Sequence, residues 1–272
     1  VEISECNYGL KVDYANGVSL ENVKMSNVNT GIYDSNFGDK TYTIKNCEIS
    51  SIAIWERSAA KTTTFKFEGV NEVNALTTSQ YAKFYGTQAG TKIYGKLADA
   101  VAAEASVKLL GNETGSGIVI NKDLTIDFNE NTYTFNEGVG STGTETNGLQ
   151  ILKGNTVALQ NGALEVNPVF KNYFYILVQN YANLTVDGMQ LDGTNLDKYS
   201  ETDGDSYVLS NNSGNVNIIG ATNITKNDNG SKPIAFDVCD KTAWGYEKPV
   251  VTITSTGMFD GDFEISEGLD EY

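Results

Sequence analysis

Three hexapeptides, VEISEC at 1–6, VKMSNV at 23–28 and CEISSI at 47–52, are near-copies of one another. They cut the start of the chain into units of 22, 24 and 23 residues, and VNEVNA at 70–75 opens a fourth. A repeat this short restricts the chain to architectures in which each unit stacks on the next to bury a face it cannot bury alone. Each unit carries three short alternating segments: Val1/Ile3, Val23/Met25 and Cys47/Ile49 first; Leu10, Ile32 and Ile54 second; Val18/Leu20, Tyr42/Ile44 and Phe65/Phe67 third. A period of two marks strands with one buried face, and turn-formers such as "ANG" and "NFGD" separate several of them. Three short strands per turn predict an all-β, parallel β-helix. The Leu-x-x-Leu-x-Leu framework of leucine-rich repeats is missing.

Stacking explains the copying, because equivalent residues in successive coils sit about 4.8 Å apart and become neighbours. Outward columns then read Glu2, Lys24, Glu48 and Ser4, Ser26, Ser50, with Asn22 and Asn46 as an amide ladder at the coil ends. The same alignment puts Cys6 in a column with Val28 and Ile52, and Cys47 in one with Val1, Val23 and Val70. Separated by about two coils, the two thiols cannot meet disulfide geometry. With Cys239 they are read as three free thiols.

Between Ala75 and Gly95 the pattern lapses, and "GKLADAVAAEA" then gives a helix, with Leu97, Ala100, Val101 and Glu104 at helical spacing. It is expected to cap an open coil end near 96–105. Beyond it, strands around Val157, Leu184, Val216 and Val251 recur at spacings lengthening to 27, 32 and 35 residues, the extra length entering at "DGTNLDKYSETDGD" and "CDKTAWGYEK". The expected organisation is residues 1–75 as the closing coils of a first module, 76–91 as a linker, and 92–272 as a second module with the capping helix. The start at Val1, inside a repeat, suggests a monomeric piece of a larger multidomain chain.

The stretch from Thr91 to Phe128 joins an Ala-rich helix to the strand segments "VKLLG" and "INKDLTI". It resembles the opening of right-handed β-helix modules in large bacterial cell-surface proteins of the pectate-lyase-like superfamily. The likeness is good over 91–128, weaker over 129–266 and coil-like over 1–74. It implies an extracellular or cell-surface setting and tandem modules, and no single activity, since such folds carry lyases, hydrolases and inert stalks alike. The polygalacturonase signatures of that superfamily do not occur. A pectate-lyase calcium cluster with an arginine base finds only Arg57, so neither set of residues transfers.

Composition narrows the chemistry. The chain has no histidine and one arginine, which removes every imidazole-based catalytic scheme and the usual histidine-ligated zinc sites. A net charge of −16 disfavours nucleic acid and anionic membrane surfaces. No apolar run of about 18 residues is present to insert into a membrane.

Within these limits, Lys11, Tyr33 and Trp55 are expected to stack outward on three successive coils, followed by Asp34, Glu56 and Arg57. Rings beside carboxylates suit a sugar-binding face, and carboxylates about 5 Å apart on adjacent coils match a retaining glycosidase pair. The alternative is packing against a neighbouring domain. Trp244 and Tyr246 on the second insertion form another ligand-binding candidate, for glycan or protein, unless the loop folds down over the coils. Asp203 and Asp205, and Asp260 and Asp262 with Glu264, set oxygen ligands on glycine turns where calcium could sit, although neither segment completes a known loop. The expected function is a non-catalytic adhesin-like or structural surface module holding glycans or protein partners. A carboxylate-dependent polysaccharide hydrolase or lyase at Asp34, Glu56 and Arg57, and a phage-fibre module, are the alternatives.

Overall fold

The computed structural model describes residues 1–56, 61–141, 144–197, 205–227 and 232–265. With 62% strand against 5% helix and long parallel sheets, the chain is all-β. It divides into two compact units, residues 1–100 with 107–111, and residues 101–106 with 112–272. Among the described residues no helix is long and apolar enough to cross a membrane.

In the first unit, strands Gly17–Glu21, Lys40–Lys45, Thr63–Glu68 and Ala82–Tyr85 form a parallel sheet. Its register pairs Val18 with Tyr42, Tyr42 with Phe65 and Phe65 with Phe84. The alternation read from the sequence is therefore the inward face. The rings of Tyr42, Phe65 and Phe84 stack at 4.8 and 5.1 Å, close to the strand spacing itself. Turning the chain after each of these strands requires a left-handed residue, supplied in one column by Asn22 (φ 53°), Asn46 (φ 51°) and Gly69 (φ 63°).

The other sheet of this unit begins with Glu2–Val12 and Lys24–Asp34, paired in parallel so that Glu2, Ser4, Cys6 and Leu10 face Lys24, Ser26, Val28 and Ile32. Lys24 then pairs with Glu48, but Ile32 pairs with Ile52 rather than Ile54. Eight residue steps on one strand thus face four on the next, because the segments Glu48–Ile49 and Ile52–Ile54 are joined only by Ser50 and Ser51. Two expectations fall with this shortening: Ile52 does not share the column of Cys6, and Tyr33 faces Ala53, not Trp55. A third fails at the next strand. Glu48 pairs with Glu72, so Asn71, not Val70, continues the column of Cys47. Asn71 is buried and its Oδ1 accepts the Cys47 N–H at 2.9 Å, whereas Val70 is 49% exposed. All three cysteines are free.

Residues 76–91, expected as a linker, contain strands Ala82–Tyr85 and Thr87–Ala89. The first extends the Phe65 sheet; the second pairs antiparallel with Lys92–Tyr94, which pairs antiparallel with Val70–Val73. The pairing is therefore not parallel throughout. The expected helix forms over Leu97–Ala103, with Leu97, Ala100 and Val101 buried.

The second unit contains two parallel sheets. One runs through Leu124–Glu137, Thr156–Val166, Asn183–Asp192, Asn215–Ile219 and Val250–Ile253, and aligns Val157, Leu184, Val216 and Val251 in one column. The other runs through Ile118–Ile120, Thr144–Ile151, Ile176–Asn180, Asp205–Asn212, Lys232–Cys239 and Asp262–Ile265. Short corners link the sheets: Leu152–Asn155 first, Tyr181 and Ala182 second, Ser213 and Gly214 third. At the fourth, residues 240–249 replace the corner with a long loop.

Candidate functional site

The expected catalytic group does not assemble. Asp34 lies at an inward position between Val12 and Ile54 and is fully buried. Its Oδ1 pairs with the equally buried Lys40 Nζ at 2.8 Å and accepts the Asn36 N–H, while Tyr42 donates its hydroxyl to Oδ2 at 2.7 Å. Lys40 also donates to the Asp13 carbonyl at 3.0 Å. Burial, then the hydrogen bond to Asp34 and its charge, push the Tyr42 hydroxyl well above its usual range, so it stays a donor. Asp34, Lys40 and the Tyr42 hydroxyl are satisfied internally, and no substrate in solvent reaches this carboxylate. Glu56 is exposed, and Arg57 lies outside the described residues.

Tyr33 packs against Tyr8, ring centroids 4.9 Å apart, and Trp55 is half exposed beyond Ala53. The aromatics of this face therefore do not form the single outward stack expected of them. Among the calcium candidates, Asp203 and the Asp205 side chain lie outside the described residues. Asp260 is held at 3.5 Å by Lys226, and Asp262 is exposed on the strand that pairs with Ile234. Among the described residues no three His, Cys, Asp or Glu side chains gather to hold a metal.

The loop of residues 240–249 is the better-formed site. Asp240 accepts the Thr242 N–H through its carboxylate, which draws its pKa below the usual value and starts the 3-10 turn Thr242–Trp244. Gly245, in the left-handed region at φ 83°, ends that turn and sends the chain back. Lys153, three corners earlier, donates to the Gly245 carbonyl and lies 4.7 Å from the centre of the Tyr246 ring. Tyr246 in turn packs on Tyr181 at 5.6 Å, and the Ser213 hydroxyl accepts the Lys241 N–H. The loop is thus a strap across three successive corners. Burial foremost, then Tyr246, raises the Tyr181 hydroxyl pKa. Trp244, at the apex, is 78% exposed with Lys241 Nζ 5.4 Å from its ring.

No family model, curated protein or solved structure matches this chain. Function must therefore be read from the geometry.

Beneath the strap lies a cleft of about 160 Å³, walled by Tyr181 and Tyr246 and reaching Lys153, Asn183, Asn215 and Glu247. The two aromatics named from the sequence separate in role: Tyr246 anchors and Trp244 is displayed. Lys153, Tyr181 and Ser213 were not foreseen, since they lie on ordinary corners far back along the chain. The available signal was the 35-residue step from Val216 to Val251, which marks the corner that had to carry an insertion.

Proposed function

We propose that the chain is a right-handed parallel β-helix acting as a non-catalytic, extracellular surface module, whose inserted loop holds a glycan or protein partner. The in-register strand columns of both units support the β-helix reading, and the resemblance of residues 91–128 supports the cell-surface setting. The observation that carries the functional reading is the Trp244 indole held out to solvent on a loop tied back at Lys153, Tyr181 and Ser213. An exposed large aromatic on an anchored loop loses little freedom on contact with a partner. The burial of Asp34 against Lys40 weighs against the hydrolase or lyase alternative.

The test is a panel of immobilised neutral polysaccharides and extracellular matrix proteins, probed with the wild-type chain and with Trp244→Ala. Reducing-end release and unsaturated-uronide absorbance are followed on soluble polysaccharides alongside. Binding reduced about tenfold or more by Trp244→Ala, without turnover, is the expected result. Turnover of any substrate overturns the non-catalytic reading, and retention untouched by Trp244→Ala overturns the role of the loop.

A further inference from the structure

The cleft beneath the strap differs chemically from the sheet faces around it. On those faces polar side chains are spent on one another: Gln150 donates to Gln179 at 2.8 Å, Asn180 to Asn211 at 2.9 Å and Ser210 to Asp237 at 3.3 Å. Around the cleft some are spent, as Asn155 on the Leu152 carbonyl at 2.7 Å and Ser213 on the Lys241 N–H, and others are not. Asn183 Oδ1 accepts from Asn215, but the Asn183 amide nitrogen, the hydroxyls of Tyr181 and Tyr246 and the Glu247 carboxylate make no hydrogen bond to any described residue. Donors and acceptors with no partner among the described residues therefore line the cleft beside two rings inclined at 39°.

We propose that this cleft binds one neutral hexopyranose unit, the terminal or branch residue of a glycan; this rests on the display reading above and gives it a ligand and a site. The C–H face of a pyranose packs on a tyrosine ring, while its hydroxyls both donate and accept, as the phenols, amide and carboxylate require. The volume is below the roughly 300 Å³ at which drug-sized pockets begin, so it admits a single ring rather than a chain. Neutrality follows from charge. The chain carries −16 overall, and the one lysine at the cleft, Lys153, is already committed to the Gly245 carbonyl and the Tyr246 ring, leaving no cation for a uronate or phosphate.

The experiment is saturation-transfer NMR with titration calorimetry on the whole chain, using methyl glycosides of glucose, galactose, mannose and N-acetylglucosamine. At least one is expected to bind saturably. Tyr181→Phe, which removes a single oxygen and leaves the ring, and Asn183→Ala each weaken that binding about fivefold, as for one lost hydrogen bond. Tyr246→Ala weakens it about tenfold, and Glu48→Ala, on an exposed ion pair of the first unit, leaves it unchanged. Absence of saturable binding by all four glycosides overturns the proposal, as does binding indifferent to both Tyr181→Phe and Asn183→Ala. Binding lost only in Trp244→Ala removes the cleft and leaves the display reading standing. Turnover removes the non-catalytic reading and leaves the cleft.

Discussion

Asp34 sits where its neighbours on adjacent strands are Val12 and Ile54, so a carboxylate has replaced an aliphatic side chain in an inward column. Such a group persists only when its charge is matched and its oxygens are bonded, which Lys40, Tyr42 and the Asn36 N–H accomplish. Removing one partner leaves the other ion buried alone. Asp34→Ala is therefore expected to cost about 3–5 kcal/mol in urea unfolding, whereas Asp34→Leu combined with Lys40→Met matches or exceeds the wild type. A single-variant cost below about 1 kcal/mol would show that Lys40 finds solvent and that the pair is not a core element. The sequence hid this role for a specific reason. Asp34 follows Tyr33, and an acid beside an aromatic reads as surface chemistry; the clue was Lys40 opening the strand that carries Tyr42 inward.

At the level of strands, the third segment of each repeat was legible because its alternation is uninterrupted: Tyr42/Ile44 and Phe65/Phe67 are buried on one side, with Thr43 and Lys66 on the other. Phe65 lies between Tyr42 and Phe84 with no exposure. Phe65→Ala removes two ring contacts and opens a cavity that backbone fixed by the flanking strands cannot close. A loss of about 3–5 kcal/mol in equilibrium unfolding is expected, and less for Phe84→Ala, which is only partly buried. Equal losses at the two positions would mean that the column does not end as its burial indicates. The second segment was misread where length changed between coils, since Ile52 and Ile54 are equally good partners for Ile32 by residue type. Asn71 was missed for the opposite reason: an amide stands where an apolar residue is expected, yet its Nδ2 donates to the Glu68 carbonyl while its Oδ1 serves Cys47. The strap escaped because loop course depends on contacts such as Lys153 with Gly245, 92 residues apart.

For the whole molecule the governing quantity is charge, 35 acidic against 19 basic residues. Part of it is organised into ladders between paired strands, Lys24 with Glu48 at 2.7 Å and Lys45 with Glu21 at 2.8 Å. These pairs are largely exposed, so solvent screens them and each adds little to stability. Hydrogen bonding to Glu48 and Glu21, and their charge, raise the pKa of Lys24 and Lys45, so both lysines remain charged and the ladders cancel what they can at neutral pH. The uncancelled −16 acts over longer distances, and salt shortens its reach from about 30 Å at 0.01 M to about 10 Å at 0.1 M. Added salt weakens attraction and repulsion together, so the sign of the response reports which is larger. With repulsion in excess, the melting temperature is expected to rise by about 2–4 °C between 0.01 and 0.3 M sodium chloride, corresponding to about 1 kcal/mol in a chain of this size. A fall would assign the larger share to the ladders. Repeating the melt in calcium chloride at equal ionic strength separates screening from binding. Identical curves place the whole effect in screening, and an additional rise would assign calcium to the acidic turns, with Asp260 and Asp262 the first positions to substitute.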